Sequence, residues 1–126
     1  MINVNEQIDY WELGAKEELL TATVLFENKR IEACLFYCHL CLEKILKAIY
    51  VKVNEKHPPK THNLKWLLDN SQINVDDEQL KFILIIQLYQ SESRYPNAFT
   101  AEPDEYKTMH YFQQTKYMYI WFKAKL

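Results

Sequence analysis

Glycine is almost absent from this 126-residue chain, in which Gly14 stands alone. A Gly-rich phosphate loop needs several glycines, so that class of nucleotide site is excluded by count. Scarce glycine also argues against many β-hairpins, whose tight turns commonly use it. The composition therefore favours long helices joined by few turns.

Cysteine is scarce and confined to one short segment, which holds Cys34, Cys38 and Cys41. This clustering does not resemble the disulfide framework of a secreted domain. On a helix the three thiols share one face, but a zinc site needs a fourth ligand and His39 points away from them. Small core residues are the better interpretation. Neither a metal nor a cofactor is predicted.

Neither a targeting segment nor a strong charge bias is expected from this sequence. Its N-terminus has no basic and apolar regions of a signal peptide, and no uncharged run approaches the length of a membrane span. The formal net charge is −2, so no overall field attracts nucleic acid or an anionic membrane. With 48% hydrophobic residues, we expect one folded cytoplasmic domain over residues 1–126, without membrane association.

Apolar periodicity predicts an all-α protein, most simply an up-and-down antiparallel four-helix bundle with one extra short helix. Long helices are expected over residues 9–28 and 30–54, from Asp76 or Asp77 to about Ser93 (with Pro96 as the stop), and from Pro103 to the C-terminus. The short helix is expected over Leu64–Leu68, beginning at Thr61 or His62, with Thr61 as a suitable cap.

The second helix is expected either to lie at the centre of the bundle or to face a second subunit. Its apolar stripe alternates steps of four and three: Ile31, Leu35, Cys38, Leu42, Ile45, Ile49 and Val53. The opposite face is also apolar in its first half, at Ala33, Phe36, Tyr37 and Leu40, as in a helix that faces a second subunit. For the last helix the predicted core face is Tyr106, Met109, Gln113, Tyr117, Ile120 and Ala124.

A charged strip lies beside that stripe, since His39, Glu43 and Lys47 are successive i, i+4 neighbours and Lys44 joins the same side. The ordinary interpretation is a boundary salt bridge, worth roughly 0.3–0.5 kcal/mol if exposed. The functional interpretation is a pair of lysines, held by Glu43, that meets a phosphate.

Two further segments could join such a site. Arg94 and Arg30 are the only arginines in the chain, and arginine suits bidentate phosphate contact while Tyr95 offers a flat face for a base. A lone arginine at a helix end also simply complements the helix dipole. His62 stands at the start of the short helix. The free backbone N–H groups there either bind an anion or are capped by Thr61, and both interpretations stay open.

Taken together, these segments resemble the HEPN domain (higher eukaryotes and prokaryotes nucleotide-binding). The resemblance runs from about Tyr10 to Lys123, and its most specific pieces are Glu43-Lys44-x-x-Lys47-Ala48, Thr61-His62-x-Leu64 and Arg94-Tyr95-Pro96. It implies a helical bundle, usually a homodimer. It further implies partnership with a small nucleotidyltransferase, commonly in a toxin–antitoxin or stress-defence pair.

Many HEPN proteins are metal-independent RNases that act in the cleft of a dimer. Their motif is an arginine followed, four to six positions later, by a histidine. This chain lacks that spacing, because eight residues separate Arg30 from His39 and fifteen separate Arg94 from His110. His39-Leu40 also stands where many relatives carry glutamines before the Glu-Lys pair.

Three functions remain open. The first is a non-catalytic protein that binds a nucleotide or another phosphate-bearing ligand, or docks a nucleotidyltransferase, with a site formed by Glu43, Lys44, Lys47, His62, Arg94 and Tyr95. The second is an atypical RNase that uses His39, His62 or His110 with Arg94. The third is an interaction module with an exposed aromatic surface: Trp66, Tyr89, Tyr119 and Trp121.

Overall fold

The computed structural model describes residues 2–90 and 103–126, and all regular structure in these two ranges is helical. The α-helices are α1 (Val4–Glu27), α2 (Ile31–Asn54), α3 (Leu64–Asp69), α4 (Asp77–Ile86) and α5 (Glu105–Lys123). A 3-10 turn over Gln87–Tyr89 directly follows α4. The prediction of an all-α bundle with one extra short helix is confirmed.

Side-chain caps set where the helices begin. The Asn3 side chain accepts a hydrogen bond from the backbone N–H of Glu6, so α1 starts five residues earlier than predicted. The short helix α3 starts at Leu64 as predicted, but Asn63 caps it, so the expected beginning at Thr61 or His62 with Thr61 as the cap is wrong. The Thr61 hydroxyl instead accepts from the backbone N–H of Asn63, which shapes the turn before the helix.

Acidic caps start the last two helices. Asp76 forms a reciprocal capping box with Gln79 at the start of α4, as one of the two predicted caps. Asp104 caps α5 by accepting from the backbone N–H of Lys107, so Pro103 lies just before the helix and not in its first turn.

The fourth helix is shorter than predicted, since α4 ends at Ile86 and the 3-10 turn ends at Tyr89. The Gln87 side chain follows this end and binds the start of α3. Its amide oxygen accepts from the backbone N–H of Leu64 at 2.7 Å, and its amide nitrogen donates to the His62 carbonyl at 3.0 Å. The end of α4 is thereby held against the start of α3. The predicted stop at Pro96 lies outside the described residues.

The core is built around α2, which is buried along most of its length between Cys34 and Val51. It packs against α1 on one side and α5 on another, and α3 and α4 close the remaining side. The prediction of a central second helix is confirmed, because its side chains are buried on nearly every face.

The predicted core face of α5 is wrong. Tyr106, Tyr117 and Ile120 are 73%, 59% and 66% exposed, and the rest of that stripe is exposed as well. The buried face consists of Thr108, Phe112, Thr115, Met118, Tyr119 and Phe122. Two threonines can be buried here because each hydroxyl donates to a carbonyl one turn earlier in the chain.

The aromatic surface expected from the sequence is only partly present. Tyr119 is buried, with 7% of its surface exposed, whereas Trp66 is 38% exposed. Trp66 also stacks on Tyr50 of α2 at a centroid distance of 5.8 Å, so it belongs to the edge of the core.

Within the described ranges, no helix has the combination of length and apolarity that crossing a bilayer requires.

The two faces of α5 give a test of this packing. Phe112→Ala removes a buried ring that stacks on Phe26 at 4.8 Å, and should lower the free energy of unfolding by about 3–5 kcal/mol. Tyr117→Ala, on the exposed face, should change it by about 0.5 kcal/mol or less. Urea unfolding of both variants measures this, and equal losses would contradict the assignment of the faces.

Candidate functional site

The charged strip of α2 lies inside the protein. His39 is fully buried, and Glu43 and Lys47 are only 3% and 5% exposed. The expectation of a solvated boundary strip is therefore wrong. The strip is covered by α1 through Trp11, and by the segment that leads into α3 through His62.

The Glu43 carboxylate links a lysine and a histidine from different parts of the fold. One oxygen, Oε2, accepts a hydrogen bond from Lys47 Nζ at 3.0 Å. The other, Oε1, lies 2.8 Å from His62 Nδ1. Glu43, Lys47, His62 and Trp11 are called the Glu43 cluster below.

His62 is the exposed member of the Glu43 cluster, with 65% of its side chain accessible. An ionised carboxylate only accepts hydrogen bonds, so the proton in the short contact with Glu43 must lie on His62 Nδ1. The second ring nitrogen, Nε2, is then the one left for a solute. This is the arrangement in which a buried carboxylate fixes the tautomer of a histidine.

Lys47 is the buried cation of the cluster. Its ammonium group is paired with Glu43 and lies 5.1 Å from the centroid of the Trp11 ring. An ammonium over an indole face is attracted by the ring's quadrupole, so the ring and the carboxylate together compensate for lost hydration. The i, i+4 spacing within α2 could not reveal this contact, because Trp11 lies on α1.

A second layer fixes the backbone of His62. The His62 carbonyl accepts from His39 Nε2 at 3.1 Å and from Gln87 Nε2 at 3.0 Å. His39 and Gln87 therefore position the loop that presents the imidazole. Sequence reasoning missed Gln87, because this contact joins residues 25 positions apart and has no local pattern.

His39 is a structural histidine in this arrangement. Burial lowers its pKa, and the Glu43 charge and the bond to the His62 carbonyl offset only part of that effect. Its Nδ1 is buried, has no hydrogen-bond partner among the described residues, and lies 3.9 Å from Glu43 Oε1. A fully buried ring cannot touch a solute, which argues against His39 as a general acid or base.

Lys44 does not share the Glu43 carboxylate. Its ammonium lies 3.8 Å from Glu18 Oε1 on α1, and its aliphatic stem crosses Gly14. A Cβ on residue 14 would stand 3.1 Å from Lys44 Cδ, so the only glycine makes room for this side chain. The two lysines that the sequence placed on one side thus interact with different carboxylates.

The remaining candidates are distributed as follows. Arg94 and Tyr95 lie outside the described residues. His110 is exposed on α5. The three cysteines are fully buried, and burial raises the pKa of the Cys41 thiol. In the described ranges no group of three potential ligands is placed to hold a metal ion.

The buried ion pair can be tested through stability. Glu43→Gln leaves the Lys47 ammonium buried without its counter-charge, which should lower the free energy of unfolding by about 3–5 kcal/mol. The matched control is Asp69→Asn, which breaks the exposed i, i+4 pair with Lys65 and should cost about 1 kcal/mol or less. A loss for Glu43→Gln no larger than the control, measured by chemical unfolding, would contradict this account.

Stability should also depend on pH through His39. Its pKa is lowered on folding, so the unfolded chain binds this proton more readily than the folded one. The stabilisation is complete above the ordinary value of 6.5 and is lost as the pH falls below it, by at most about 1.4 kcal/mol per pH unit. His39→Gln should flatten the wild-type profile below pH 6.5, whereas His57→Gln at an exposed position should not. Equal slopes for wild type and His39→Gln would be the contrary result.

The comparisons with known proteins agree with this architecture. The crystal structure of TT1696 from Thermus thermophilus superposes with a TM-score of 0.78 at 16% identity, over 95% of this chain and 98% of that one. That likeness supports the fold. No curated protein matches the chain. The family model of the HEPN domain matches residues 8–116, a span that includes most of α1, all of α2 to α4 and more than half of α5. The chain belongs to the HEPN domain family.

Proposed function

We propose that this HEPN protein is a non-catalytic binder of a nucleotide or another phosphate-bearing ligand, with its site at the exposed end of the Glu43 cluster. The observation that carries the proposal is the buried Glu43 carboxylate, shared between Lys47 and the exposed His62. A buried carboxylate is costly unless its hydrogen-bond partners stay in place. The contact with Glu43 therefore holds the His62 ring in one orientation.

The charges of the Glu43 cluster support an anionic ligand. Glu43 and Lys47 neutralise each other, and a protonated His62 would leave one net positive charge on the exposed side. In that doubly protonated form, His62 Nε2 can donate to an approaching phosphate oxygen while Nδ1 donates to Glu43. The resulting hydrogen bond is charge-assisted at both ring nitrogens, which is the stronger class of hydrogen bond.

Two candidates from the sequence would complete this site. Arg94 would supply a fork for phosphate oxygens, and Tyr95 would stack on a base. In the chain they follow Gln87, whose side chain contacts the His62 carbonyl. Lys44 would act at longer range from its position beside Glu18.

The partners of the proposal come from the family. HEPN membership supports a homodimer, and the resemblance supports a small nucleotidyltransferase as a second partner in a toxin–antitoxin or stress-defence pair in the cytoplasm. A reading frame for such an enzyme beside the gene of this protein would support that partnership directly.

Isothermal titration with ATP, GTP and inorganic phosphate tests the ligand site. Wild type should bind one of these probes. His62→Ala should weaken that binding about tenfold or more, a loss of about 1.4 kcal/mol, because the exposed donor is removed. The matched control is His57→Ala, also an exposed histidine, which should leave the affinity unchanged.

Two results would contradict the proposal. One is the absence of binding heat for all three probes. The other is cleavage of RNA in EDTA by wild type that is lost in His62→Ala, since an exposed histidine backed by a buried carboxylate is also the geometry of a general acid or base. The second result would favour the RNase alternative over a non-catalytic site.

A further inference from the structure

One face of α1 carries large apolar side chains that the protein itself does not cover. Tyr10, Leu13, Leu20 and Val24 are 64%, 58%, 53% and 56% exposed. With Glu17 they recur at steps of three, four, three and four, so they form a single stripe along the helix. These five residues are called the α1 face.

The two ends of the α1 face have different shapes. Its N-terminal half borders a groove of about 280 Å³, lined by Tyr10, Leu13 and Gly14 of α1 and by Lys44 of α2. The missing side chain at Gly14 and the flat stem of Lys44 form its floor. Its C-terminal half presents Leu20 and Val24 as exposed side chains. One face therefore offers both a groove and side chains of a size to enter it.

We propose that the α1 face is the surface through which two copies of this chain associate, with their α1 helices antiparallel. A two-fold interface uses the same patch on both subunits, so it needs a face that is complementary to itself. Antiparallel packing sets the Leu20 and Val24 end of one copy against the groove of the other, and the same contact occurs twice. The inference rests on the homodimer of the proposed function, to which it gives a location, and it does not depend on the ligand.

The available area fits a dimer of ordinary size. A standard interface buries about 800 Å² on each partner, of which about 57% is apolar. Four large side chains, each more than half exposed, offer roughly 300–400 Å² of apolar surface. The half-exposed neighbours of the stripe, Trp11 among them, supply the remainder.

The exposed stripe of α5 fits a second copy less well. Tyr106, Tyr117 and Ile120 are equally accessible, but Gln113 and Lys116 lie among them on the same exposed surface. The α1 groove also shares Trp11 with the Glu43 cluster, because the other contact of that indole is the Lys47 ammonium. A second copy on α1 would thus lie beside the ligand site, which the stripe on α5 would not explain.

Size-exclusion chromatography with light scattering, at high micromolar protein concentration, tests the surface. Wild type should have twice the 15.2 kDa mass of one chain. The double variant Leu20→Lys/Val24→Lys should have the mass of one chain, because two charges at the centre of an apolar interface are left unpaired. The matched control, Tyr117→Lys/Ile120→Lys, changes two equally exposed residues of α5 and should remain dimeric. Circular dichroism verifies that each variant is folded, and Leu13→Glu repeats the test if the double variant is not.

Three outcomes would overturn the proposal. They are a monomeric wild type, a wild type that gains mass only when a nucleotidyltransferase is added, and a dimer that dissociates with the α5 variant but not with the α1 variant. The titration with ATP, GTP and inorganic phosphate is repeated on the α1 variant, so that loss of the dimer and loss of the ligand site are read separately.

Discussion

The structure of the candidate site depends on one buried carboxylate that is shared by a lysine and a histidine. Glu43 accepts from Lys47 on its own helix and from His62 on a distant segment, and all but a few per cent of its surface is removed from water. A lone buried charge would cost several kcal/mol, so this arrangement requires both partners to stay in place. The Glu43 carboxylate therefore connects the buried Lys47 of α2 to the imidazole of His62 at the surface.

The fold and the site support each other through the backbone of His62. Its carbonyl receives hydrogen bonds from His39 on α2 and from Gln87 at the end of α4, while its ring bonds Glu43. Separate parts of the chain thus determine where one exposed side chain points. A site held in this way needs no rearrangement to present the second ring nitrogen of His62 to a ligand, and such preorganisation reduces the entropic cost of binding.

The sequence predicted well what is decided locally and poorly what depends on distant contacts. The central α2 and the acidic cap at Asp76 follow from periodicity and capping, which act within one or two turns. The burial of Glu43 and Lys47 was not predictable, because Trp11 and His62 lie outside their helix. The buried face of α5 was misassigned because both sides of this helix carry large apolar or aromatic residues. Tyr117, for example, lies on the exposed side and resembles a core residue in the sequence pattern.

The protonation state of the His62 ring tests the central claim most directly. Long-range proton–nitrogen correlation NMR distinguishes the two ring nitrogens of a neutral histidine. If Glu43 accepts from His62 as in this structure, Nδ1 carries the proton and Nε2 is free. A neutral His62 with its proton on Nε2 and a bare Nδ1 would contradict the shared carboxylate, and with it the site derived from it.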